Sequence, residues 1–408
     1  MNALLFSPSY DLAGGAVIAA NRLFHGLQLQ GVNTKMLVGQ SSFENENVNE
    51  LPHNFTGEKI VSRLTMPLGL NYVHYYSSFK IPKHNFFKQA DILNFHSLHG
   101  AYFNYLALPK LTKHKPAVYT LHDVWSFTGH CAFNFDCGRW KTGCGKCPYP
   151  NNYPAIKRDS TRLEWKLKKR TYERSQLTIV TPSNWLSALA KQSMLGEFNI
   201  HTIPYGLDTN VFEPLDPHYC RKILGVPEGK KVLLFGAMGL DDHRKGGDLL
   251  VKALNKMPKS LKESLVLLTL GQADELYKNS IDIQTLNLGY VSGDRMKAIA
   301  FSAADIFIFP TRNDNLPCII QESLACGTPV VSFDINGVPD LVRPGITGYL
   351  AEPENADSFL EKIMQLLEED KIREEMKKKC REVAVNEYRL DIQAQRYKDL
   401  FSTLLNSK

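Results

Sequence analysis

Short apolar runs and amphipathic helical stretches alternate along almost the whole chain, and that alternation restricts the fold more than any other feature. ALLF (3–6) is followed by a loop and then by VIAANRLFHGLQLQG, whose apolar residues recur at helical spacing. KMLV, DILNF, AVYTL, LTIVT and IHTI read as further strands of the first half. KVLLFG, SLVLLTLG, TLNLG, DIFIFP and PVVSF read as strands of the second, with helices such as GGDLLVKALNKM and RMKAIAFSAA between them. Such alternation gives parallel sheets covered by helices on both faces, an α/β architecture.

The 408 residues are too many for one ordinary core. The pattern breaks and restarts at IPYGLDTNVFEPLDP (203–217), a stretch rich in Pro, Gly and Asp. The expected layout is a doubly wound domain over residues 1–204, a second over 205–387, and a last amphipathic helix, 388–408, packing back on the first. Hydrophobic content of 43% and charged content of 22% are those of a soluble globular protein. No apolar run approaches the ~20 residues that span a bilayer. The opening MNALLFSPSYD lacks the basic flank and long apolar stretch of a signal peptide, so a cytoplasmic protein is expected.

Charge is distributed unevenly. Residues 1–204 hold 22 Lys and Arg against 12 Asp and Glu, and the remainder holds 26 against 30. A basic first half suggests an anionic partner: nucleic acid, an anionic membrane face or a phosphorylated substrate. Nucleic acid is disfavoured, because the basic residues are not interleaved with aromatics on a recognisable module. The stretch IKRDSTRLEWKLKKRTYERS (156–175) carries eight Lys or Arg. With Leu163, Trp165 and Leu167 it could lie on an anionic membrane, and it reads equally well as a solvated helix face.

In open α/β sheets ligands sit at the carboxyl ends of strands, so the loops after strands are where chemistry is sought. Three of them stand out. Gly14 and Gly15 in SYDLAGGAV follow the first strand and open the first helix, where glycines let backbone amides approach an anion; a plain tight turn has the same signature. GAMGLDDHRKGG (236–247) places Arg244 and Lys245 before a helix, as a diphosphate clamp or as a solvated basic pair. TRNDNLPCIIQESLACGTPVV (311–331) places Asp314 and Asn315 in a loop and Leu316 and Pro317 at a helix start, with Asn315 able to cap. Glu322 lies further inside that helix, where a carboxylate can take both hydroxyls of a ribose. Asp314 would be repelled by a phosphate but could accept from sugar hydroxyls beyond it. The bland alternative makes Asp314 a first-turn acid and Glu322 a face residue.

Together these loops favour a nucleoside diphosphate attached to a sugar, and the chain resembles a known family. GAMGLDDHRKGGDLL, LGYVSGDRMKAIAFSAADIFIFPT, NDNLPCIIQESLACGTPVVSF and NGVPDLVRPGITGYL are similar to the donor-binding domain of retaining family 4 glycosyltransferases. AGGA, TLHDVWSFTGHC, VTPSNWL and IPYGLDTNVFEP carry the likeness through the first half. It is closest to members that build surface or capsular polysaccharide and lipopolysaccharide.

The resemblance implies a GT-B fold: two Rossmann-like doubly wound domains facing a central cleft. It also implies a nucleotide-diphosphate sugar donor and a glycan or lipid-linked acceptor. His122 would contact the donor sugar near the reacting carbon, and Lys245 would hold the phosphate. His96 and His99 in NFHSLHG could line the acceptor side or simply build a loop. Base contacts would come from LGQA (270–273) and GYVSGD (289–294). Two departures matter. The first acid of the family's Glu-x7-Glu pair is Asp314, one methylene shorter, and Ala237 stands where an arginine is frequent, a charge Arg244 is expected to supply.

No DxD metal site is evident, and no cofactor is required for catalysis on this reading. CAFNFDCGRWKTGCGKC crowds Cys131, Cys137, Cys144 and Cys147 together, and only the last pair has common zinc spacing. Structural zinc is expected in a cytosolic chain, with free thiols or disulfides as alternatives. Two other functional classes stay open: a GT-B enzyme of other chemistry, such as an epimerase or phosphorylase, and a non-catalytic zinc-containing anion binder.

Overall fold

Each apolar run named above is a strand in the computed structural model, which describes residues 1–10, 14–239, 242–272 and 280–407. Seven strands form the first sheet: β1 (Asn2–Ser9), β2 (Asn33–Gln40), β3 (Val48–Glu50), β4 (Ile92–His96), β5 (Ala117–Thr120), β6 (Leu177–Thr181) and β7 (Ile200–Thr202). Their spatial order is β3-β2-β1-β4-β5-β6-β7, and every neighbouring pair is parallel. Six strands form the second: β8 (Lys231–Gly239), β9 (Leu265–Gln272), β10 (Gln284–Asn287), β11 (Ile306–Phe309), β12 (Val330–Phe333) and β13 (Gly348–Ala351). Here the order is β10-β9-β8-β11-β12-β13, again parallel.

The continuous apolar runs follow from this topology. A parallel sheet is covered on both faces, so both sets of alternating side chains must be apolar. Leu4 and Phe6 of β1 enter one core with Leu37, Leu93 and Phe95, while Ala3 and Leu5 enter another with Met36, Val38, Ile92 and Val118. In the second sheet Leu233, Phe235, Ile306, Ile308, Val331 and Phe333 share one core.

The chain divides into a unit of Met1–Gly206 with Asp391–Lys408, and a unit of Leu207–Leu390. The last helix, Leu390–Asn406, explains the discontinuity. Tyr397, Leu400 and Phe401 are buried in the second core of the first unit. The Tyr397 hydroxyl lies 3.0 Å from Thr120 Oγ1, and Gln393 Oε1 accepts from the Gly206 amide at 3.0 Å.

Each sheet has one point where the winding reverses, between β1 and β4 in the first and between β8 and β11 in the second. The loops leaving these strands part there, which opens a crevice at the carboxyl edge of the sheet. Gly14 follows β1; Arg244 and Lys245 follow β8; Asp314 follows β11. Three of the loops singled out in the sequence therefore meet the two switch points.

Candidate functional site

The site of the second unit is assembled by one close backbone contact. β8 runs through its loop into a short turn, His243–Lys245, then Gly246 and the helix Gly247–Asn255. Gly246 has φ of 71°, and a Cβ there would stand 1.8 Å from the Pro310 carbonyl oxygen. Only glycine fits, so the β8 loop sits directly on the chain leaving β11. The Arg244 carbonyl accepts from the Arg312 amide at 2.8 Å and seals the junction.

This junction pairs the two cations with the acid. Lys245 Nζ donates to Asp314 Oδ2 at 2.7 Å, and Arg244 Nη1 donates to Asp314 Oδ1 at 3.0 Å. Thr311 Oγ1 donates to Asp314 Oδ2 at 2.7 Å. Arg244 also reaches the Asn313 carbonyl at 3.1 Å and Asp242 at 3.3 Å. Lys245 Nζ lies 4.9 Å from the centre of the Phe309 ring. Lys245 and Asp314 are each 15% exposed.

The electrostatics follow from the geometry. Burial pushes the Asp314 carboxyl up, but Lys245 and Arg244 outweigh it and hold the group below its ordinary value. Burial lowers the Lys245 ammonium, against the pull of Asp314. The result is a cation pair fixed at the switch point by two carboxylates, Asp314 on both cations and Asp242 on Arg244. A diphosphate arriving there would meet donors already oriented.

Arg312 was not singled out in the sequence. It is 8% exposed and grips Asp248 through two bonds of 2.6 and 2.8 Å, Glu354 at 2.7 Å and the His243 carbonyl at 2.6 Å. It ties the β8 turn to the helix behind it. The only hint was an arginine directly after a buried strand.

Around the next helix the structure differs from the expectation. The helix runs Cys318–Ala325, and its N-cap is Pro317, with no side-chain capping bond. Asn315 is therefore not the N-cap residue, because the chain turns helical two residues later than that role needs. Leu316 is buried as a packing residue. Glu322 points inward, 4% exposed, with Lys297 Nζ 3.9 Å from Oε1, so it is not an open face residue. Of the expected base-contact stretches, Gly271 donates to the Gly289 carbonyl at 2.8 Å, while Ala273 lies outside the described residues.

In the first unit, Gly14 is the N-cap of α1 (Gly15–Leu29) with φ of 135°, and among the described residues nothing lies within 4 Å of a Cβ built at Gly14 or Gly15. The β4 and β5 loops hold a polar chain. His96 Nε2 lies 2.8 Å from Asn94 Oδ1, an acceptor, because the Asn94 amide nitrogen donates to Val118 and Thr120. His96 therefore carries its proton on Nε2, and its Nδ1 accepts from His122 Nε2 at 2.9 Å. His122 Nδ1 then accepts from the Tyr205 hydroxyl at 2.7 Å. Burial drives His96 well below its ordinary pKa and His122 down to about 4, so both rings are neutral near pH 7.

This arrangement reassigns His96. At 1% exposure, with both ring nitrogens engaged, it cannot line an acceptor surface; it orients His122. His99 lies 3.2 Å from Asp123 Oδ2 and stacks on Trp125 at 5.2 Å, so it anchors the residue beside His122. Tyr205 was missed because it belongs to the interdomain stretch, which the sequence marks only as a hinge.

The cysteine loop is partly ordered by its sulfurs. Cys144 Sγ accepts from the Gly129 amide at 3.2 Å, and Cys147 Sγ lies 3.2 Å from His130 Nε2. Burial raises the Cys131 thiol to about 12 and the Cys144 thiol to about 11. All four cysteines are unbridged, and no group of three or more His, Cys, Asp or Glu side chains is placed to hold a metal among the described residues.

The basic stretch is α3 (Thr161–Tyr172), and it is turned differently from the expectation. Trp165 Nε1 donates to the Trp140 carbonyl at 2.8 Å, and Leu167 packs against the core. Only Leu163 of the three apolar residues is exposed. Lys168 is buried, donating to the Trp125 and Thr128 carbonyls at 2.7 and 3.0 Å.

Comparison with known proteins matches this geometry to a family. Residues 13–211 match the model described as Glycosyltransferase Family 4, and residues 220–383 match Glycosyl transferases group 1. The fold is GT-B, and each unit matches a glycosyltransferase family model. Among curated relatives, WcaC of Escherichia coli (strain K12), named for colanic acid biosynthesis, is 30% identical over 62% of this chain and 62% of its own length. D-inositol 3-phosphate glycosyltransferase 1 of Catenulispora acidiphila is 28% identical over 42% of this chain and 44% of its own. The chain thus spans less than two thirds of either relative. Solved GT-B structures cover more of it. Sucrose-phosphate synthase of Thermosynechococcus elongatus covers 100% of both chains with a TM-score of 0.70 at 17% identity. Anabaena HepE in complex with UDP-glucose covers 98% of this chain and 99% of its own, with a TM-score of 0.69 at 14% identity. WaaG, involved in lipopolysaccharide biosynthesis, covers 98% and 99%, with a TM-score of 0.68 at 16% identity. At these identities the structural likeness shows the fold alone.

Proposed function

We propose that the protein is a retaining, hexosyl-type glycosyltransferase. It moves a sugar from a nucleoside-diphosphate donor to a glycan or lipid-linked acceptor in surface polysaccharide, capsule or lipopolysaccharide synthesis. The observation that carries this reading is the Arg244–Lys245–Asp314 cluster at the β8/β11 switch point, in a unit that matches a glycosyltransferase family.

In the reaction, the bond from the anomeric carbon to the leaving phosphate breaks and a bond to the acceptor oxygen forms on the same face. The acceptor proton passes to the departing phosphate. The enzyme's contribution is electrostatic: Lys245, Arg244 and the amides at the start of the Cys318–Ala325 helix stabilise the charge that builds on the diphosphate. Glu322 takes the ribose hydroxyls. Asp314 holds the cations and accepts from hydroxyls of the donor sugar. His122, fixed as a neutral ring, contacts the sugar near its reacting carbon. Gly14 and Gly15 leave the first turn of α1 open to the donor.

No helix among the described residues is long and apolar enough to cross a membrane. We place the protein in the cytoplasm, against the inner membrane face when the acceptor is lipid-linked. The relatives that support a sugar nucleotide are HepE, solved with UDP, UDP-glucose or UDP and glucose. A thermal-shift panel of UDP-, GDP-, ADP- and dTDP-sugars, followed by mass analysis of products, tests the proposal. Stabilisation by one class and a product heavier by one sugar support it; no stabilisation by any of them, or phosphate-dependent cleavage, overturns it. Zinc at Cys131, Cys137, Cys144 and Cys147 is proposed from the crowding of the four thiols in sequence alone. One zinc per chain in protein purified without added metal supports it, and four titratable thiols without zinc remove it.

A further inference from the structure

One helix of the first unit is built inside out. α2 (Phe55–Thr65) buries only one residue, and that residue is its sole acid, Glu58. The Glu58 carboxylate accepts from the Ser77 amide at 2.9 Å and lies 3.0 Å from His53 Nδ1. The large apolar residues are left in solvent instead: Phe55 is 77% exposed, Ile60 57% and Leu64 68%. The turn that follows, Met66–Leu68, adds Met66 at 45% and Leu68 at 44%. A surface helix ordinarily turns its apolar stripe to the core. Five large apolar side chains exposed on one helix and its turn form a patch of the kind that marks an interaction surface.

The charges identify the partner. Lys59 and Arg63 are exposed and stand between the apolar residues on the same helix. Beyond the turn the surface continues into the start of α3. The Leu68 carbonyl accepts from the Ser160 hydroxyl, and a Cβ on Gly69 would lie 2.1 Å from the Arg158 carbonyl, so exposed Lys157 and Arg158 adjoin the patch. The nearby acid, Asp159, is occupied by the Cys147 amide at 2.7 Å and by Thr161 at 2.6 Å. Protein–protein interface cores are depleted in lysine. Apolar side chains interleaved with long cations suit a different medium. The apolar groups enter the acyl boundary, and the Lys and Arg stems lie along it with their charges among anionic headgroups.

We propose that α2 and the Met66–Leu68 turn, flanked by Lys157 and Arg158, dock the first unit on an anionic lipid bilayer. This deepens the lipid-linked acceptor reading and replaces α3 as the inserting element, because α3 turns Trp165 and Leu167 inward. Binding needs neither donor nor acceptor, so it is measured apart from transfer.

The test is co-sedimentation of the full chain with vesicles of phosphatidylcholine alone or with about one third phosphatidylglycerol. Wild type is expected to sediment with the anionic vesicles and stay in solution with the neutral ones, with release at high salt. Ile60→Ser with Leu64→Ser, and separately Lys59→Glu with Arg63→Glu, should each lose at least tenfold in partitioning. Because all four side chains are exposed, melting temperature and sugar-nucleotide binding should not change. Equal recovery with both vesicles, wild-type sedimentation of both variants, or a dimer of the wild type that Ile60→Ser with Leu64→Ser dissolves would overturn the assignment. Failure of vesicle binding with donor binding intact would leave the glycosyltransferase reading standing.

Discussion

Replacing Lys245 with alanine should separate chemistry from stability. The ammonium is 2.7 Å from Asp314 Oδ2 and 15% exposed. Breaking a fully buried ion pair costs about 3–5 kcal/mol because a charge is left alone. Asp314 is not left alone here: it keeps Arg244 at 3.0 Å and Thr311 at 2.7 Å. The loss in stability should therefore be nearer 1 kcal/mol, a fall of roughly 2–4 °C for a unit this size. Catalysis should suffer more. One oriented donor on charge that develops in the transition state is worth about 3 kcal/mol, or roughly a hundredfold in rate. Steady-state turnover with the donor found by the panel, run beside thermal unfolding, measures both. Turnover within threefold of wild type would refute the phosphate role. A fall above 10 °C with matching activity loss would make Lys245 a structural strut.

Other expectations follow from particular contacts. Gly246→Ala should cost about 1–2 kcal/mol in backbone strain and more through overlap with Pro310, whereas Gly225→Ala, at the same φ of 71° but with open space, should cost only the strain; equal losses in thermal melts would contradict the close contact. Glu164 is raised by burial to about 7, against the pull of Lys168 and a 2.7 Å bond from Tyr105. Its folded pKa lies above its unfolded one, so ionising it opposes folding, and stability should fall as pH rises from about 4.5 to about 7, by up to about 3 kcal/mol. Glu164→Gln should lack that fall, and a wild-type pH profile in the variant would refute the assignment. Tyr205→Phe leaves His122 Nδ1 without its 2.7 Å donor, so kcat should drop about tenfold with KM for the donor little changed, measured across pH 5–8; an unchanged kcat would show that the hydroxyl does not position the ring.

Much of this was legible in the sequence. The buried strands were readable because a sheet covered on both faces demands unbroken apolar runs. β3 and β13 escaped because they are edge strands of three and four residues, and β3 buries only Val48. Arg244, Lys245 and Asp314 could be named, but not their pairing. Lys245 and Asp314 are 69 residues apart, and only the adjacency of β8 and β11 brings them together. The two roles open for His96 could not be separated, because a histidine at a strand end gives no sign of whether its two nitrogens are already engaged. On α3 the period predicted an amphipathic helix, but not that Trp165 would find Trp140 and turn inward. The inverted face of α2 was invisible for the same reason, since hydrophobic period alone does not say which side meets the core.

The most direct measurement is a crystal structure of the protein soaked with the nucleoside diphosphate of its donor. The account predicts phosphate oxygens within about 3 Å of Lys245 Nζ and of the amides opening the Cys318–Ala325 helix, with the ribose on Glu322. A nucleotide bound elsewhere, with the Lys245–Asp314 and Arg244–Asp314 contacts undisturbed, would contradict it.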